Sequence, residues 1–324
     1  MRTQLISNST PDGKTPQTKH KPVLLQEVLD NLQIKKSDVV FDGTVGSGGH
    51  ASAMLSLLGD KGFFFGTDLD ENSLLRTRDK LESLDANAPW KLFEGNFADM
   101  ERFAAELELK SVDKILLDLG WSQDQFDNSG RGFSFRKDEP LLMSYASHPD
   151  DESALSAYEI VNSWQEDTLI DILQGFGEER FAKRIAAAIV AARSKKDIQS
   201  SKELADIVSA AVPGRFRYGR LHPATKTFQA LRIAVNQELS VLQDALSAVD
   251  RLLSSGGRVA VISFHSLEDR IVKRQFRQWA KEGKGRMINK KPITASKKEL
   301  QENRRARSAK LRVYEKSDKT EKEN

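Results

Sequence analysis

Apolar positions along the chain recur in two alternating rhythms. Short continuous apolar runs, typical of strands buried on both faces, alternate with stretches where apolar residues return every three or four positions, as on a helix with one buried face. Val23, Leu24, Val28, Leu29 and Leu32 follow Pro22 at helical spacing. Asp38-Val39-Val40-Phe41-Asp42 then reads as a short strand ending on an acid, Gly43 to His50 as a glycine-rich turn, and Ala51 to Leu58 as a helix. Gly59-Asp60-Lys61-Gly62 interrupts the pattern, and Phe63 to Asp68 predicts a second strand. A charged helix over Glu71 to Leu84, a strand over Trp90 to Glu94, a helix over Met100 to Leu107 and a strand over Val112 to Asp118 follow. Strands and helices of these lengths in alternation predict right-handed βαβ units and a parallel sheet, an α/β fold.

The rhythm then changes. From about Phe126 to Arg220 the pattern predicts no strand but four helices, over 153–161, 167–173, 178–193 and 202–212. This is the signature of an all-α insertion placed after the fourth strand. A long helix over Thr225 to Leu253, closed by Gly256-Gly257, leads back to a fifth strand over Arg258 to Phe264. A helix over Leu267 to Ala280, a strand near Met287 to Ile293 and a last strand over Lys310 to Tyr314 complete the chain. Ser296-x-x-Glu299 has the form of a capping box. The expected organisation is a disordered leader (1–19), a sheet domain in two pieces (20–125 and 221–316), an inserted helical domain (126–220) and a disordered tail (317–324).

Composition narrows the function classes. With 324 residues, 39% of them hydrophobic, the chain can bury one large core or two ordinary ones. No apolar run approaches the roughly 18–20 residues of a membrane span, and the polar first nineteen residues lack the apolar centre of a secretory signal. A cytoplasmic protein is expected. The absence of cysteine removes disulfides, thiolate metal sites and cysteine nucleophiles together. Five histidines without an H-E-x-x-H spacing give no reason to expect a metal. The net charge of +3 conceals an asymmetry. From Arg270 onward 19 Lys/Arg face 7 Asp/Glu, so a basic end follows an acidic body. That pattern fits a polyanionic partner, RNA or DNA, or else a solvated tail.

Candidate chemistry gathers where strands end. A strand, a glycine turn and a helix bring backbone N–H groups and a positive helix end up to a nucleotide-like ligand. Glycines there allow positive φ and close approach. Gly46-Ser47-Gly48-Gly49 departs from the dinucleotide pattern G-x-G-x-x-G, because Ala51 stands where the third glycine would. Asp68, ending the second strand, suits ribose hydroxyls, or else a helix cap that Asp70 fills equally well. Asp118, ending the fourth, suits the cationic end of S-adenosylmethionine or an amine substrate, or else a loop cap. His265, after the fifth, reads as an acid/base group, a substrate contact or a structural residue. Arg215-Phe216-Arg217-Tyr218-Gly219-Arg220 interleaves cations and aromatics as single-stranded nucleic-acid sites do, or is a solvated loop. Asn303 to Arg312 is a second basic patch.

Taken in order, these stretches resemble the RsmH (MraW) family of S-adenosylmethionine-dependent methyltransferases, from about Lys19 to Lys316. The resemblance rests on His20 to Leu25, Asp42 to His50, Arg131-Gly132-Phe133-Ser134-Phe135, Gly177 to Ala182, His222 to Ile233, Ser263 to Arg270 and Asn303 to Ser308. It implies a Rossmann-like class I methyltransferase sheet, S-adenosyl-L-methionine as cofactor, and methylation of N4 of a cytidine in the decoding region of 16S ribosomal RNA, within the small subunit. The family's cofactor contacts fall on Gly48, Gly49, His50, Asp68, Phe97, Asp118 and Gln125. Asp118 is also the expected catalytic acceptor. Trp121, Arg215, Arg217, Tyr218 and His265 are the expected RNA contacts. The oligomeric state is left open between monomer and homodimer.

The chain departs from the family pattern at Trp121 and Gln123, where the family usually has Val and Ser, and at Leu142 and Ser144, where it usually has Asp and Arg. The lack of cysteine also bears on the reaction. Methylation at cytosine C5 generally needs a cysteine on C6, and zinc deamination needs thiolate ligands, whereas methylation of the exocyclic amine needs neither. Two other readings stand beside this one: a nicotinamide-dependent oxidoreductase, and a non-catalytic ribosome-assembly factor.

Overall fold

A computed structural model describes residues 21–120, 130–145, 155–219 and 221–317. Trp121, Gln123, Gln125 and Arg220, the expected leader, and 318–324 of the expected tail lie outside the described residues.

Seven strands form one sheet: β1 (Val39–Asp42), β2 (Phe63–Asp68), β3 (Trp90–Glu94), β4 (Val112–Asp118), β5 (Leu253–Ser263), β6 (Gly285–Met287) and β7 (Lys310–Lys316). Their order is β3-β2-β1-β4-β5-β7-β6. The first five run parallel, while β7 lies antiparallel between β5 and β6. The direction of winding reverses between β1 and β4, and at such a switch point the strand ends leave a crevice for a ligand.

The expected bounds of β2, β3 and β4 are met residue for residue. In β2 and β4 Phe64, Phe65, Ile115, Leu116 and Leu117 are fully buried, because both faces of the sheet are covered there. Val40, Phe64, Leu116 and Ile262 point into one core, with α1 (Leu25–Leu32), α2 (Gly49–Leu55) and α3 (Glu71–Glu82). Their neighbours Phe41, Phe65, Ile115 and Val261 point into the other, with α4 (Met100–Glu106), α10 (Glu238–Leu252) and α11 (Ser266–Lys281). The alternation is the two-residue period of a strand.

The helical part comprises α5 (Ala157–Ser163), α6 (Glu166–Gly175), α7 (Ala182–Arg193), α8 (Ser201–Ala211) and α9 (Thr225–Val235). It has a third core, built on residues such as Ile160, Leu173, Ile185, Leu204 and Leu231. Ser156 and Ser200 cap α5 and α8 by accepting the N–H of Glu159 and Glu203.

Several expectations are corrected. The long helix over 225–253 is broken: α9 stops at Val235, and Gln237 adopts a left-handed φ of 49° before α10 begins. On the near side of the break α9 packs into the helical core through Phe228, Leu231 and Val235. Gly256-Gly257 does not close the helix, which ends at Leu252; Gly256 lies inside β5 with φ +73°, where pairing with β4 shifts register. The strand near 287–293 shrinks to Gly285–Met287, with Ile293 bridging Leu311 alone. Pro292 just before it has no N–H to donate. Ser296 does cap α12 (Lys297–Glu302), accepting the Glu299 N–H, but Glu299 Oε1 takes the N–H of Leu24 instead of closing the box. Among the described residues no helix is long and apolar enough to cross a membrane.

Candidate active site

The turn after β1 is stitched to the strands beside it. Gly43 N–H donates to Leu116 O and Val45 N–H to Thr67 O, while Thr44 Oγ1 accepts the N–H of Asp118 at 2.8 Å. Its glycines differ in purpose. Gly46 and Gly48 hold left-handed backbone, φ +52° and +75°, which side chains disfavour. A Cβ on Gly43 would lie 2.6 Å from Leu117, and one on Gly49 would lie 3.0 Å from the Pro22 ring.

Of the expected cofactor contacts, Gly49, His50, Asp68, Phe97 and Asp118 line one groove at the carboxyl ends of the strands, enclosing about 870 Å³ including its open mouth. Gly48 does not face this groove; it precedes α2 as N-cap and packs toward Thr77. The helix-cap question at β2 is settled between two acids. Asp70 caps α3, accepting the Ser73 N–H, and Asp68 holds the turn, accepting from Gly46 N–H (2.9 Å) and Asp70 N–H (3.0 Å).

Three acids crowd this edge. Burial pushes the Asp42 carboxyl up to about 7, a Thr44 N–H opposes the rise, and the charges of Asp118 and Asp68 add to it. Burial likewise raises Asp68 to about 6 against its two backbone hydrogen bonds. Asp118 stands at about 7, raised by burial and by Glu268 and lowered by Arg305. Oδ1 of Asp118 and Oδ2 of Asp42 are buried without a hydrogen-bond partner among the described residues, a costly state that a ligand's cation or N–H relieves. His50 Nε2 sits 3.7 Å from Asp118 Oδ2. This donor set suits a sulfonium and an ammonium beside a ribose. It repels the pyrophosphate of a dinucleotide, and Ala51, at the third-glycine position, is wholly buried in the core.

Two groove residues escaped sequence reasoning. Arg305 reaches it from the Arg304–Arg307 turn, more than two hundred residues beyond the glycine turn. Tyr145 lines both the groove and an adjoining cavity of about 410 Å³. That cavity shares Phe97, Leu119 and Gly120 with the groove and adds Asn96, Glu238 and Glu268. The Tyr145 hydroxyl donates to Glu238, which Arg232 grips at 2.8 and 3.1 Å. Burial acts to raise Glu238, but the guanidinium outweighs it and holds the carboxyl down at about 2.

The expected RNA contacts do not form one cluster. The His265 ring is nine-tenths buried and caps α11, taking the Glu268 N–H while Glu268 accepts the His265 N–H, which is the structural one of its three readings. Arg217 is turned to structure as well, donating to Val212 O and Ala210 O at the end of α8. Arg215 and Tyr218 remain outward, with Tyr218 93% exposed.

An α/β sheet with an antiparallel β7 inserted beside β5, a glycine turn after β1, and acids ending β1, β2 and β4 define a Rossmann-like class I methyltransferase that uses S-adenosylmethionine. A model of the MraW methylase family matches residues 17–317. The ribosomal RNA small subunit methyltransferase H of Acetivibrio thermocellus is 44% identical over 92% of this chain and 98% of its own length. The enzyme of the same name from Coprothermobacter proteolyticus is 43% identical over 92% and 96%. The chain belongs to the MraW methylase family.

Proposed function

We propose that this protein transfers a methyl group from S-adenosyl-L-methionine to the exocyclic N4 amine of a specific cytidine in the decoding region of 16S ribosomal RNA, within the small ribosomal subunit of the cytoplasm. The relatives named above, which act on small-subunit ribosomal RNA by their names, support the substrate class. The observation that carries the choice of an amine is Oδ1 of Asp118, buried in the wall of the donor groove without a hydrogen-bond partner among the described residues.

The donor supplies an electrophilic methyl group on a sulfonium. The chain must hold the amine in line with it and accept an N–H as nitrogen gains positive charge, since the N4 lone pair is delocalised into the ring. Asp118 has the place and the basicity for that acceptor, because burial and Glu268 keep its carboxyl close to neutrality. Phe97 and Tyr145 offer flat ring faces, and Leu119 an apolar one, for a ring lifted out of its stack. Tyr145 cannot swing away while its hydroxyl is held by Glu238.

Mass mapping of methylated nucleotides in 16S RNA from cells carrying and lacking the gene tests the reading. One N4-methylated cytidine should vanish with the gene. Identical maps would overturn the assignment. Purified protein given unmodified subunits and labelled donor should transfer label, which a mere assembly factor would not do.

A further inference from the structure

We propose that the face formed by the start of α7 and the loop before α9 is a seat for a single-stranded RNA nucleotide flanking the methylated one. It rests on the RNA-methylating function proposed above and names a second contact with the same substrate. The pocket here is lined by Arg180, Phe181, Phe216, Leu221, His222 and Lys226.

Its cations are prepared in advance. The Arg180 guanidinium lies 3.8 Å from the Phe216 ring centre and 4.5 Å from that of Phe181, and Arg215 lies 4.8 Å from Phe216. Stacking on the rings fixes the planes of these side chains and so lowers the entropy lost when they meet a phosphate. Neither arginine forms an ion pair among the described residues, whereas nearby Arg270 is tied to Glu178 at 2.9 Å. Glu179, the acid lining this pocket, turns inward and accepts the Phe181 N–H. The face is therefore positive.

Its aromatic is exposed as well. Tyr218 is 93% and Leu221 62% solvent-exposed, although a ring left in water forgoes the burial that stabilises most tyrosines. The loop that presents Tyr218 is anchored: Arg217 donates two hydrogen bonds to the last carbonyls of α8, where a cation also suits the helix dipole. His222 stacks on Phe135 at 4.4 Å and 17°, so the far wall is equally set. Cations on fixed rings, with a free aromatic beside them, match the two needs of a single-stranded nucleotide, phosphate and base. The face is joined to the donor side of the sheet through Glu178, which accepts from Ser266 at the start of α11.

The test separates binding from catalysis. Binding of a fluorescent decoding-region RNA fragment is measured by anisotropy, and KM is measured on unmodified small subunits. Tyr218→Ala should weaken RNA binding and raise KM roughly tenfold, with kcat, affinity for S-adenosylhomocysteine and Tm unchanged. Tyr218→Phe should restore both. Arg215→Gln should lower the slope of log affinity against log salt by about 1. Unaltered RNA affinity in Tyr218→Ala, or an equal loss in Tyr218→Phe, overturns the seat. A raised KM on subunits with unchanged affinity for the RNA fragment also overturns it and points to a ribosomal protein instead. Tyr218-dependent RNA binding without any methylated cytidine would uphold the seat and sink the N4 reading.

Discussion

At the scale of residues, Asp118 combines a peptide N–H fixed by Thr44 with a carboxyl oxygen that nothing in the described protein satisfies. Replacing it with Ala should leave the fold intact and reduce methyl transfer by two orders of magnitude or more, the usual scale for a positioned acid/base or electrostatic group. A radiolabel transfer assay beside a melting curve checks both halves. The raised carboxyl has a second consequence. Below about pH 7 Asp118 holds a proton in the free protein, and only its ionised form attracts a sulfonium. Affinity for S-adenosylmethionine should rise by about tenfold from pH 6 to pH 8, with proton release on binding. Neutral-sulfur S-adenosylhomocysteine should respond much less. Equal pH profiles for the two ligands by titration calorimetry would remove Asp118 from this role. Asp68 and Asp118 were legible in the sequence because each ends an apolar run, and an acid at a strand's carboxyl end has few other places to face. Tyr145 and Arg305 were not, because only the completed fold brings their distant segments to the groove.

At the scale of elements, the break between α9 and α10 holds the second cavity together. Asn236 accepts the N–H of Tyr145 and donates to Met143 O and Arg232 O. Asn236→Ala should cost about 2 kcal/mol of stability in urea unfolding and loosen the Tyr145 wall, raising KM for RNA more than Kd for the donor. Gln237→Gly, by contrast, should be neutral or stabilising by about 1 kcal/mol, since it relieves a left-handed residue. The break was invisible in the sequence: the apolar period runs on through Val235 and Leu242, and Gln237 carries no turn signature. Gly256-Gly257 misled for the opposite reason, glycine serving an irregular strand as readily as a helix end. The bounds of β2, β3 and β4 were legible to the residue because their runs are cut off sharply by an acid or Gly, whereas β5 begins at Leu253, five residues before the expected Arg258.

At the scale of the whole molecule, the buried acids shape stability. Asp42, Asp68 and Asp118 have folded pKa values above the usual carboxylate range. The native state therefore keeps protons that the unfolded chain releases, and these groups make stability fall as pH rises from about 4 to about 7. Glu238 acts oppositely: held at about 2, it contributes above about 4.5, and the contribution is lost as pH falls toward 2. The ligand-free protein should thus melt higher at about pH 4 to 5 than at pH 8. A flat melting profile over that range would show that the three acids ionise as freely in the native state as in the unfolded one.

The position of the helical part in the chain sets the order in which the molecule can assemble. β4 ends at Asp118, and its parallel neighbour β5 does not begin until Leu253. On a growing polypeptide the first half of the sheet emerges with one edge of β4 bare, and the helices must be made before that edge is covered. Helical contacts are local and close quickly, whereas the β4–β5 pairing waits for a distant segment. Refolding should therefore show early helical circular dichroism and a late, slower return of donor binding. In that interval the open β4 edge is where self-association is to be expected.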